Sequence, residues 1–169
     1  MKGNEIIMKK YQKGVGLVEV LVALILLSIA VLGFVALQIK AVTATAEASM
    51  NVQASNIARD LAERMRMNRD GLLDYKKVAN PPTTCAESFC TPKNMAEYDF
   101  AEVSNHANDL GMSVGVLNCQ GSTLVRKCVY VAWGGTTPTN GTTTSDCTKG
   151  AAYVPNAKCI IMEVYNYGS

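Results

Sequence analysis

The sequence predicts an α+β fold in which one long N-terminal helix, about residues 15–68, packs by its second half on a small, mostly antiparallel β-sheet tied by disulfides. Three observations predict it. Residues 15–37 form an unbroken apolar block, and a helical repeat of apolar positions continues from it. Segments rich in β-branched residues cluster after residue 110. All six cysteines lie beyond the apolar block.

The chain opens with a short basic stretch, residues 1–14, in which Lys2, Lys9, Lys10 and Lys13 outweigh Glu5 and which ends in Gly14. Met8 offers a second possible start within it. Residues 15–37 follow, with Glu19 and Ser28 as the strongly polar side chains. As a helix this block is about 34 Å long, enough for the ~30 Å hydrocarbon core of a bilayer. Lysines just before it are the positive-inside signature, which keeps the N-terminus in the cytoplasm and the body on the far side. A cleaved secretory signal is the rival reading, with a small-residue site at Ala44-Thr45-Ala46. Its apolar region is normally shorter, about 7–15 residues.

Beyond the block, Ile39, Val42, Ala46, Met50, Ile57, Leu61 and Met65 continue one helical face, and the first proline is Pro81. Asp60 with Arg64, and Arg59 with Glu63, are spaced to pair along the helix. Arg59, Arg64, Arg66 and Arg69, balanced by Asp60, Glu63 and Asp70, read as a solvated or subunit-contact face. Asn68 and Gly71 supply stop signals.

Residues 69–169 then form the globular part. Residues 77–92, with Pro81, Pro82 and Pro92 and the close pair Cys85 and Cys90, read as a loop tied by a local bridge. Residues 94–110 have loosely helical spacing, and residues 112–119, 124–133 and 158–166 read as strands, with a tight turn at Gln120–Ser122. The Thr- and Gly-rich residues 134–150 read as a loop, where the Asn140-Gly141-Thr142 sequon is put down to chance. Trp133 is expected in the core at a strand end, and His106 on a solvated helix face.

Cys85, Cys90, Cys119, Cys128, Cys147 and Cys159 form an even set on the exported side, which favours three disulfides in one of fifteen connectivities. A single histidine and the lack of a CxxC pair argue against a zinc site. The net charge of +2 is concentrated in the first residues, so the near-neutral body does not suit direct nucleic-acid binding. No phosphate-binding loop, nucleophile–base pair or paired acids stand out, so neither an enzyme nor a cofactor is expected.

Lys13-Gly14-Val15-Gly16-Leu17-Val18-Glu19 resembles the processing site of type IV prepilins, a basic leader ending in Gly before an apolar segment with Glu at its fifth position. The resemblance implies a pilin-like fold, removal of residues 1–14 by a prepilin peptidase, N-methylation of Val15 and an assembly role for Glu19. Glu19 also stands out on physical grounds, because a carboxylate inside a membrane helix is costly without a partner. A neighbouring subunit's terminal amine is the candidate; the bland alternative is a hydrated glutamate at the interface, favoured by the helix dipole.

Weaker marks are similar to the minor pilin family PilV, the type IV pilus modification proteins. They are the run Val20–Leu24, Leu37-Gln38 and residues 58–69. Val15-Gly16 in place of the usual Phe-Thr, and an apolar helix without a central proline, depart from abundant shaft pilins. Glu19 argues against the tip-capping pseudopilin type, which lacks it. What this implies is a subunit of the inner membrane with a periplasmic body. It would join other minor pilins and the major pilin to prime pilus assembly at or near the tip, serving motility, adhesion or DNA uptake. A type II secretion pseudopilin and a membrane-tethered periplasmic binding domain remain the alternatives.

Overall fold

A computed structural model of the chain describes residues 16–121 and 126–164. Residues up to Ala46 and residues from Glu47 onward are two units, taken in turn below.

Helix α1 runs Leu17–Met67. Its part in the first unit keeps large apolar side chains in the open, among them Leu17, Leu26, Ile29, Leu32, Phe34 and Leu37. Within the second unit α1 is amphipathic. Ala54, Ile57, Ala58, Leu61, Ala62 and Met65 are buried and Met50 is partly so. The covered stripe therefore starts at Met50; Ile39 and Val42, on the face expected to continue it, are exposed. The helix stops where expected, and a 3-10 turn, Arg69–Gly71, follows at once. A Cβ at Gly71 would stand 2.3 Å from the Pro92 carbonyl oxygen, so a side chain there would push two segments apart.

Helix α2 spans Pro92–Asp109. Pro92, expected in the preceding loop, is instead its first residue, where a missing N–H costs nothing. Thr91 caps it, its Oγ1 accepting from the Asn94 N–H at 3.3 Å. Gly111 (φ 71°) reverses the chain after the helix, a left-handed position suited to glycine. His106 is exposed on α2, as expected.

Three strands make the main sheet: β1 (Met112–Asn118), β2 (Lys127–Trp133) and, later in the chain, β6 (Cys159–Val164). Their order is β1-β2-β6, all antiparallel, with Met112 opposite Trp133 and Lys127 opposite Val164. The expected strand over 124–133 begins its ladder at Lys127; residues 122–125, including most of the turn, lie outside the described residues. Val129, Val131 and Trp133 point to one face, where α1, α2 and Val164 complete the core. Cys128 and Tyr130 point to the other. Alternation with both faces covered is what places this strand at the centre.

Residues 134–150 correct the expected loop. They contain β3 (Thr137–Asn140) and β4 (Asp146–Lys149), which with β5 (Ala152–Tyr153) form a second sheet of order β3-β4-β5. β3 and β4 pair in parallel, β4 and β5 antiparallel. Alternating β-branched residues, Thr137 and Thr139, carry the strand signal that the Gly and Thr content hides. This small sheet lies over Cys128 and Tyr130, giving helices, main sheet and second sheet in sequence.

All six cysteines are paired, as Cys85–Cys90, Cys119–Cys128 and Cys147–Cys159. The first closes the loop before α2, the second joins the end of β1 to β2, and the third ties β4 to β6 across the two sheets.

Candidate functional site

The apolar half of α1 carries the chemistry that the sequence singles out. Gly14 and Val15, the expected cleavage point and methylated residue, lie outside the described residues. Glu19 lies in the first turn of α1, where it is exposed. Its backbone N–H donates to the Gly16 carbonyl at 2.9 Å, and its carboxylate has no ion-pair partner among the described residues. A carboxylate at a helix start gains from the dipole, worth about 0.3–1 kcal/mol.

The other strongly polar group of the block behaves differently. Ser28 donates its hydroxyl to the Leu24 carbonyl at 2.7 Å, the back-bond by which a serine satisfies itself on a helix. Thr43 and Thr45 do the same further on. Glu19 has no such local remedy, because an ionised carboxylate only accepts.

Between Glu19 and Lys40 no residue is ionisable. That interval is about 30 Å of helix, matching the hydrocarbon thickness of a bilayer. This helix is long and apolar enough to cross a membrane.

A second charged constellation was not foreseen. Arg64, expected to pair with Asp60, does so at 3.1 Å but also turns inward to Asp99 of α2 at 2.8 Å. The Tyr75 hydroxyl lies 3.3 Å from the same carboxylate and 3.1 Å from the Arg64 carbonyl. Burial, with the Asp99 charge beside it, pushes the Tyr75 phenol well above its usual range. For Arg64, burial works against the charge, but the hydrogen bonds to Asp99 and Asp60 outweigh it and the guanidinium is held more firmly protonated. The arginine run is thus not wholly solvated; one member locks α1 to α2. Glu63 pairs with Arg66 at 2.5 Å, not with Arg59 as the spacing suggested.

Asp146 is the other structural carboxylate. It accepts from the Thr139 hydroxyl at 2.5 Å and from the Thr143 hydroxyl and N–H at 2.7 and 2.8 Å. Those hydrogen bonds hold its pKa below the ordinary carboxylate value. Neither constellation offers a nucleophile or a base to a substrate.

Comparison with known families gives two adjoining matches. Residues 9–35 match the prokaryotic N-terminal methylation motif, and residues 36–101 match the Tt1218-like family, described as type IV pilin Tt1218. No curated protein and no solved structure gives a significant match. The matches carry with them processing by a prepilin peptidase and assembly with other pilins, a structural role. With the long apolar helix and the disulfide-tied α+β body, they identify the chain as a type IV pilin, a membrane-anchored subunit that ends up in the pilus.

Proposed function

We propose that the chain is a minor pilin of the PilV type that co-assembles with other minor pilins and primes the pilus at or near its tip. Residues 1–14 are the leader, cut after Gly14; Val15 becomes the methylated first residue; residues 15–68 form the assembly helix and residues 69–169 the exported body. The observation that carries this reading is Glu19, the one carboxylate on a membrane span with no partner of its own among the described residues. At the membrane surface it keeps water and the helix dipole. When helices bundle with an axial stagger, it enters an apolar surrounding and requires a cation. A neighbour's N-terminal amine supplies one, and the neutralised pair fixes the register between subunits.

Glu19→Ala tests the role. Membrane insertion is expected to be unchanged, while pull-down of partner pilins and the number of pili fall. Normal piliation and normal pull-down in the variant would overturn the assembly role. Deleting the gene distinguishes the minor pilin from a secretion pseudopilin. Loss of pili and twitching supports the former, and loss of exoprotein secretion with pili intact refutes it.

A further inference from the structure

A cavity of about 350 Å³ opens between α2, the start of β1 and the loop around Lys77–Pro81. Its volume lies within the range of small-ligand sites. On α2, Glu97, Ala101, Ser104, Asn105 and Asn108 recur at intervals that put them on one helical face, and all of them line it. The Ser104 Oγ is buried with no hydrogen-bond partner among the described residues. The Glu97 side chain is only 14% exposed, and its ion pair with Lys93 is long, at 3.9 Å. Lys77, an exposed residue, is also in the lining. Val78, Pro81 and Val114 add an apolar surface.

We propose that this cavity binds an uncharged sugar ring. Sugar hydroxyls both donate and accept, and the lining answers both needs. Glu97 only accepts, Lys77 only donates, and the two asparagine carboxamides do either. Glu97 is already engaged by Lys93, and uncharged asparagine carboxamides supply much of the remaining polar lining. The ring's C–H face has Pro81 and Val78 to lie on. This site is separate from Glu19 and holds whether or not the minor-pilin reading does.

The test uses the full chain in a detergent without a sugar headgroup, titrated with glucose, galactose and N-acetylglucosamine by calorimetry and saturation-transfer NMR. Saturable binding of at least one sugar is expected at millimolar concentration. Glu97→Ala and Asn105→Ala are each expected to weaken it about tenfold, the loss of one good hydrogen bond. Asn105 is exposed, so its variant keeps the fold, checked by circular dichroism, and Glu19→Ala leaves sugar binding unchanged. The same sugars at the end of immobilised oligosaccharides separate the sources. Binding there as well assigns a surface glycan, and binding of the free sugar alone assigns a small soluble one. Absence of saturation with every sugar overturns the proposal, as does binding insensitive to both substitutions. Preferential binding of inorganic phosphate or of tetramethylammonium overturns the neutral class.

Discussion

At the scale of single residues, Asp146 and Asp99 do opposite things with the same group. Asp146 satisfies a tight turn from within, with three hydrogen bonds from two threonines. Its folded pKa is depressed, so its contribution to stability is fully present above the unfolded value, about 3.9, and is lost as pH falls through the folded value. Asp146→Asn is expected to lower the thermal midpoint at pH 7, and the gap to the parent should close progressively below about pH 4. A gap that stays constant into acid would show that the charge is irrelevant there. Asp99 serves tertiary structure. Its carboxylate ties Arg64 and Tyr75 across two helices, and Asp99→Asn should cost about 2 kcal/mol in urea unfolding. Combining Asp99→Leu with Arg64→Met should cost less than the two singles added together, since Arg64→Met strands the buried Asp99 charge while Asp99→Leu leaves Arg64 with Asp60 alone. Additive losses would mean that the pair does not act as a unit.

Elements show where a pattern is enough and where it is not. The length of α1, its stop near Asn68, the helix over 94–110 and the three strands of the main sheet were legible because each carries its own periodicity over seven residues or more, or nearly so. The second sheet was not. β3 and β4 have four residues each, too few to show a period, and their stability comes from outside the strands. Asp146 closes the turn, and Cys147 bonds to Cys159 of β6. Removing that bridge is the direct check. Replacing Cys147 and Cys159 with alanine is expected to cost about 3 kcal/mol, from the freed chain between them. Hydrogen exchange should speed up in β3, β4 and β5 well before β1 and β2. Uniform acceleration over both sheets would show instead that the second sheet is not held by the bridge. The Arg64–Asp99 pair escaped the sequence for a related reason. Its members are 35 residues apart, and only the packing of α2 on α1 chooses between Asp60 and Asp99 as partners.

For the whole molecule, the helix divides its surface between two environments, and the division falls near Glu47. Before it, an uncharged run of apolar side chains stands exposed, with Glu19 and Lys40 at its ends. The proposed role of Glu19 starts from the sequence, because a lone carboxylate in an apolar block can be read there; its proposed partner cannot, since it lies on another subunit. After the division, the same helix is a core element. Ile57, Leu61 and Met65 are each almost wholly buried, and burial of such side chains contributes about 1.5–3 kcal/mol apiece. That is comparable to the total stability of a small domain, about 5–15 kcal/mol. A body taken as residues 69–169 therefore lacks six of the sixteen buried residues of its core, with Phe100, Val129, Val131 and Trp133 left facing water. Residues 47–169 keep those contacts and the Lys158–Glu47 ion pair at 2.9 Å. Expressed in the periplasm, the 47–169 fragment is expected to be soluble, monomeric and cooperative in thermal unfolding. The 69–169 fragment is expected to aggregate or to lack a cooperative transition. A well-folded 69–169 fragment would mean that α1 is only an anchor and that the body is stable without it.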